Sequence, residues 1–441
     1  MSPTTAPPLA PPPASPAAAT GGRPTPSPGV VAGDAGPVGL ARPALRERLV
    51  SLDVFRGLTI AGMLLVNDPG TWGAIYPPLE HAAWHGWTPT DLIFPFFLFI
   101  VGITTHLSLA ARRARGDDDA TLVRQVLRRG AIIFLLGLFL AWFPGFTWGA
   151  VPGNPDPSLW ERVVDRLYHV RFLGVLQRIA LAYVAGALLT VRLRPRAQLA
   201  TAAVLLLGYW AVMMAVPVPG TGATGMAAIA EPAATTAAWV DRLLLDWGRW
   251  GNHLWVGGVT WDPEGVLSTI PAIGTVMLGV LAGRWIGRPR PLAERLNGLF
   301  AVGALLMVGG LVWAWGFPIN KNLWTSSYAV FTAGMAAVAL ATCLWLVEVR
   351  GSRWWARPFV VFGVNPILAF VGSGLMARLI YSVVTVERDG ARVPLQRALY
   401  DAAYASWLAP RDASLLFALS FVLFWFVVLT VLYRRGIFLK V

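Results

Sequence analysis

The chain has 441 residues, 56% hydrophobic and only 13% charged, with a mean hydropathy of +0.59. Soluble chains carry about 25% charged residues, so this composition excludes a cytosolic enzyme, a nucleic-acid binder and a disulfide-rich secreted domain, and describes an integral membrane protein. The formal net charge of +13 reports topology first, because Lys and Arg gather in cytoplasmic loops. The one cysteine, Cys343, lies in an apolar run and rules out an internal disulfide, a cysteine zinc site and a CxxC pair.

Residues 1–46 are rich in Pro, Ala, Gly, Ser and Thr, a composition that cannot bury enough apolar surface to offset its ordering entropy. This segment reads as a disordered cytoplasmic tail, and it lacks the basic-then-apolar order of a secretory signal. Residues 47–441 read as one transmembrane domain. Ten apolar stretches approach the roughly 20 residues that a bilayer demands of a helix: 50–68, 90–110, 128–146, 172–191, 198–216, 266–286, 297–315, 325–348, 356–382 and 413–433. None alternates as a barrel strand does. The expected fold is therefore all-α, a polytopic bundle of about ten membrane helices in the plasma membrane. Lys and Arg fall mainly in the tail, in every second loop and at the C-terminus, which predicts both termini on the cytoplasmic side. Most of the 21 tryptophans then lie in exoplasmic connections or at exoplasmic helix ends. An interfacial belt explains them, and so do aromatic platforms for a sugar.

Ionisable groups within membrane spans mark function by default. Asp53 and Arg56 open the first span at i, i+3 spacing, as a paired anchor or as a guanidinium that meets an anionic substrate. Asn67-Asp68 closes that span. Next come His81, Trp84 and His85, two of five histidines within five residues, and then Asp91 at the head of the second span. An imidazole near neutrality suits proton transfer, and a carboxylate on one ring nitrogen would fix its tautomer. The two histidines lack a nearby third ligand, so no metal is expected. Gln177 and Arg178 sit together in the fourth apolar span, as an inter-helix contact or a cavity lining. Lys321, one of only two lysines, lies between Asn320 and Asn322 just before Trp324, where topology gives no reason for positive charge. Asn365-Pro366 breaks the ladder of the ninth span.

The runs Ser51-Leu-Asp53-Val-Phe-Arg56-Gly57, His81-Ala-Ala-Trp84 with Asp91-Leu-Ile-Phe94-Pro95-Phe96, Gly174-Val-Leu-Gln177-Arg178, Asp262-Pro-Glu264-Gly265, Asn320-Lys321-Asn322-Leu-Trp324, and Tyr433-Arg434-Arg435 with Ile437-Phe438 occur in order. From about residue 50 to the end, this pattern resembles the heparan-alpha-glucosaminide N-acetyltransferase family. The resemblance implies an enzyme that takes acetyl from acetyl-CoA and delivers it to an amino sugar or other cell-envelope glycan across the bilayer. It implies His81 as the active-site histidine with Asn67 beside it, and Asp91 is the expected orienting carboxylate. Arg56, Gln177, Arg178, Lys321 and Asn365 are the expected acetyl-CoA contacts; Trp84, His85, Glu264, Asn320, Asn322 and Trp324 the expected acceptor contacts. Direct transfer and an acetyl-histidine intermediate both stay open. The sequence has His85 where the lysosomal enzyme has Asn, and it lacks that enzyme's extra N-terminal region and extracytoplasmic cysteines. A homodimer is compatible with the pattern. The competing reading is a sugar permease, which needs no thioester-directed histidine.

Overall fold

In lipid every backbone polar group must be bonded within its own segment, so apolar runs of this length become helices. The computed structural model describes residues 49–255, 260–388 and 390–439; the 1–46 tail lies outside the described residues. In chain order the helices are α1 (Val50–Asn67), α2 (Ile93–Arg113, preceded by a 3-10 turn at Pro89–Leu92), α3 (Asp119–Trp142), α4 (Leu159–Tyr168) and α5 (Val175–Arg192). They continue with α6 (Pro195–Ala215), α7 (Thr236–Leu245), α8 (Thr269–Ile286), α9 (Leu292–Trp313), α10 (Ser326–Leu344), α11 (Ala356–Val364), α12 (Pro366–Arg378), α13 (Leu395–Tyr400) and α14 (Pro410–Arg434). Between α12 and α13 the strands β1 (Thr385–Arg388) and β2 (Ala391–Pro394) pair antiparallel, Val386 opposite Val393.

Among the described residues ten helices are long and apolar enough to cross a membrane, and each of the ten expected stretches overlaps one of them. Two boundaries differ for local reasons. Helix α3 starts at Asp119 instead of 128, because the Asp118 carboxylate accepts from Thr121 N at 3.0 Å and caps a turn that precedes the apolar run. The stretch 356–382 divides at Asn365: Pro366 occupies the first position of α12, where its missing N–H costs nothing.

Small residues bring the bundle's axes together. A Cβ on Gly102 of α2 would stand 2.1 Å from the Val276 carbonyl of α8, and one on Gly279 would stand 2.2 Å from the Phe99 carbonyl. Leu98, Ile133, Leu176, Ile179, Val276 and Tyr328 form a core from α2, α3, α5, α8 and α10, with Phe94, Phe97, Val175 and Phe370 against it. These packed apolar side chains also form one wall of the candidate site.

Candidate functional site

The site begins with a helix cap. Thr88 and Asp91 form a capping box around Pro89, so the chain enters α2 with its first N–H groups satisfied. Asp91 Oδ2 accepts from Thr88 N at 3.0 Å, Thr88 Oγ1 at 3.2 Å and Ala82 N at 3.1 Å. Its other oxygen, Oδ1, lies 2.7 Å from His81 Nδ1. The Asp91 side chain is fully buried, whereas 45% of the His81 side chain is exposed. A buried carboxylate beside Nδ1 places the ring proton there and leaves Nε2 with its lone pair.

Lys321 completes this arrangement from the loop between α9 and α10. Its Nζ lies 3.1 Å from His81 Nε2, 3.0 Å from Nδ1 and 3.6 Å from Asp91 Oδ1. Nδ1 already carries a proton, so Nε2 is the nitrogen that accepts from the ammonium. Burial holds the Lys321 pKa below the usual lysine range, although Asp91 and Glu264 both favour its charge. The loop is rigid at the lysine's neighbours. Asn320 Oδ1 accepts from Leu323 N at 2.9 Å, Asn320 N donates to Thr325 Oγ1 at 3.0 Å, and Asn320 Nδ2 lies 3.3 Å from His85 Nδ1.

His81, Lys321 and Asn67 line a cavity of about 220 Å³ together with Thr59, Thr90, Arg171, Glu264 and apolar residues including Phe94, Phe97 and Phe370. Arg171 binds Asp262 through Nη2 to Oδ1 at 2.5 Å and Nε to Oδ2 at 2.9 Å, and its Nη2 also donates to Glu264. Burial alone would raise the Glu264 pKa, but Arg171, Arg178 and Lys321 together hold it below the usual range. Behind this wall Asp241 braces the same turn, accepting from Val266 N at 2.8 Å and Asp262 N at 3.3 Å, and burial pushes its pKa up to about 7.

Two further cavities stand in series with the first. One of about 150 Å³ shares Phe97, Ile179 and Phe370 with the His81 cavity and reaches Arg56, Thr105, Arg129 and Tyr183. The next, about 280 Å³, shares Thr105, Arg129 and Tyr183 with it and adds Arg112, Arg128 and Gln125. Asp91 precedes α2 and Arg112 lies in its last turn, so the chain of cavities runs the roughly 30 Å of a 21-residue helix.

A family model described as heparan-alpha-glucosaminide N-acetyltransferase, catalytic, matches residues 48–241. The heparan-alpha-glucosaminide N-acetyltransferase of Homo sapiens is 30% identical over 386 residues, 77% of this chain and 55% of that protein. The chain belongs to this family. The Mus musculus relative is 31% identical over 371 residues, 75% of this chain and 54% of that protein. An uncharacterized 39.9 kDa protein of Bacillus acidopullulyticus is 30% identical over 99 residues, 21% of this chain and 28% of that protein. The chain thus spans about half the length of the curated relatives it matches, and with ten apolar helices among its described residues it is a multi-pass membrane protein.

Asn67, His81, Asp91 and Arg171 fall within the stretch matched by the family model, and Glu264 and Lys321 come to the same cavity from beyond it. The other sequence-predicted residues are dispersed. Arg56 belongs to the middle cavity, with Nη1 bonded to Asp53 Oδ1 at 3.2 Å and to the Gly363 carbonyl at 3.0 Å. Gln177 faces a side chamber. Arg178 is fully buried, its guanidinium 5.3 Å from the centroid of Trp324 and its Nη2 donating to Ser268 Oγ and the Gly265 carbonyl. Trp324, 1% exposed, donates from Nε1 to Thr275 Oγ1 at 3.1 Å and so presents no free face to an acceptor. Asn365 uses both ends of its amide on the C-terminal segment, Nδ2 to the Ile437 carbonyl and Oδ1 from Leu439 N, each at 3.1 Å. Trp84 Nε1 donates to the Ile229 carbonyl at 3.0 Å, and Asn322 is half-buried.

Sequence reasoning missed Arg171, Arg112, Arg128 and Arg129. The last three had a sufficient explanation in topology, and Arg171 sits in a connection where nothing local distinguishes it. Among the described residues no group of three or more His, Cys, Asp or Glu side chains is placed to hold a metal ion.

Proposed function

We propose that the protein is an acetyl-CoA-dependent N-acetyltransferase whose acceptor is an amino sugar or related glycan amine at the His81 end of the bundle. The observation that carries this reading is the series of cavities with shared walls. An arginine-lined chamber suits the phosphates of a nucleotide head, an apolar neck suits a flexible pantetheine arm, and a histidine with a fixed tautomer stands at the far end.

His81 Nε2 takes a proton from the acceptor amine as that amine attacks the thioester carbonyl, a contribution of about 10² to 10⁴ in rate. Asp91 holds the ring and stabilises the imidazolium that forms. Lys321 leaves Nε2 when the amine arrives and, with Asn67, donates to the oxyanion. The coenzyme A thiolate departs, and the proton held on His81 is available to it. Direct transfer is the simpler route, because the lone pair on Nε2 faces the same cavity as Asn67 and needs no acyl carrier.

The test uses purified protein. Acetyl-CoA should raise its thermal midpoint, as linkage requires of a bound ligand. Glucosamine should then release coenzyme A, and His81→Ala should stop that release while keeping the thermal shift. A sugar permease would ignore coenzyme A; full activity in the His81 variant would remove the base from its role.

A further inference from the structure

Beside the His81 cavity lies a second chamber of about 260 Å³, which shares Arg171, Val175 and Phe370 with it. Its polar lining is Arg166, His169, Arg171, Gln177 and Arg378, and no carboxylate is among the lining residues. Arg171 is neutralised by Asp262 and Glu264, and His169 has Asp165 at 3.2 Å. Arg166 and Arg378 are different. Arg166 donates to the last carbonyls of α3, those of Ala141 and Trp142, and to that of the following Phe143, and Arg378 Nη1 donates to the Gly374 carbonyl at 2.9 Å. Among the described residues neither has a carboxylate within ion-pair distance. A guanidinium offers five N–H donors, so carbonyl contacts leave capacity for an anion.

Gln177 supplies an independent sign of a ligand. It is 2% exposed, lines the chamber, and its Nε2 has no hydrogen-bond partner. A buried amide donor without an acceptor is costly and uncommon, and an oxygen placed in the chamber relieves it.

We infer that this chamber is a subsite for an oxyanion, a carboxylate or phosphate, borne by the acceptor next to the amine that is acetylated at His81. The inference rests on the acetyl-transfer reading for the identity of the ligand, though not for the presence of an anion site. Gln177 thereby moves from the coenzyme to the acceptor. The amine-bearing sugar meets the thioester in the His81 cavity, and its charged neighbour anchors beside Arg378 and Gln177.

The experiment compares three acceptors with acetyl-CoA and the full chain in detergent: glucosamine, a free-amine glucosaminyl-uronate disaccharide, and glucosamine 1-phosphate. At least one charged acceptor should have a KM about ten- to a hundredfold below that of glucosamine, as one or two charge-assisted contacts supply. Which of the two gains identifies carboxylate or phosphate as the group held. Arg378→Gln should bring the ratio of KM values near one, and Arg378→Lys should restore part of it. Equal KM values for charged and neutral acceptors, or a ratio unchanged by Arg378→Gln, would overturn the subsite. If Arg378→Gln does not fold, wild-type protein decides: free glucuronate or inorganic phosphate should compete with the charged acceptor and raise the thermal midpoint, and absence of both effects overturns the inference. Coenzyme A release from none of the acceptors, with the anion-dependent thermal shift intact, would sink the acetyl-transfer reading alone.

Discussion

Asp91→Asn separates the two tasks that one carboxylate performs. Three donors, Ala82 N, Thr88 N and Thr88 Oγ1, converge on Oδ2, so the single amide oxygen of the variant turns to them and the cap survives. The amide nitrogen then faces His81 Nδ1, 2.7 Å away in the wild type. Nδ1 must accept, the ring proton moves to Nε2, and the lone pair that takes the acceptor's proton is gone. The loss should amount to the whole contribution of a general base, about 10² to 10⁴ in kcat, or roughly 3–5 kcal/mol of barrier. Folding loses the charge-assisted bond to His81 and the charge that faces Lys321 3.6 Å away, at least about 1.5–3 kcal/mol, and KM for acetyl-CoA should change little. Coenzyme A release at saturating acetyl-CoA gives kcat, and thermal unfolding with and without acetyl-CoA reports whether the variant is folded and loaded. A folded, acetyl-CoA-stabilised variant with kcat within about threefold of wild type would refute the tautomer argument.

Three other expectations follow from the same geometry. Arg129→Ala should raise KM for acetyl-CoA about tenfold with kcat nearly unchanged, the mark of lost uniform binding, and should leave acetyl-pantetheine, which lacks the nucleotide, unaffected. Arg171→Met strands Asp262, whose side chain is fully buried, and Glu264, only 9% exposed; breaking a buried pair costs about 3–5 kcal/mol, so the thermal midpoint should fall, and an unaltered midpoint would contradict the pairing. Asp241, with a folded pKa near 7 against an ordinary value of 3.8, binds more protons folded than unfolded. Its share of stability is therefore complete below the unfolded value, declines as pH rises, and levels off above about 7. Thermal midpoints measured from pH 5 to 8 should fall, and Asp241→Asn should make the decline shallower even though it lowers the midpoint at pH 5.

The spans were legible because bilayer thickness dictates helix length and composition together, which is why Val50–Asn67 and Ser326–Val349 fall within a residue or two of their expected limits. The His81–Asp91 pair was legible for a local reason: Thr88-Pro-Thr-Asp91 announces a helix start, and a histidine ten residues upstream can return to it. Residues whose roles depend on distant partners were not. Arg178 and Trp324 each suit a ligand by chemical type, yet they stack on one another across the bundle. Lys321 looked like a phosphate contact until its 3.1 Å approach to His81 Nε2, 240 positions earlier in the chain, gave it another task. The arginines Arg112, Arg128 and Arg129 obey the rule for cytoplasmic loops so well that composition offered no second meaning for them.

The Lys321 segment is a tightly packed wall of the reaction chamber. Trp324 adopts a left-handed backbone at φ 50° and lies wedged beneath Arg178, with Phe94 and Tyr328 edge-on to its ring. This loop is consequently an anvil, and the four methylenes of the lysine are its readiest means of movement. Whatever admits an incoming amine must therefore yield on another side of the chamber, and the ammonium's own swing becomes the shutter over the imidazole.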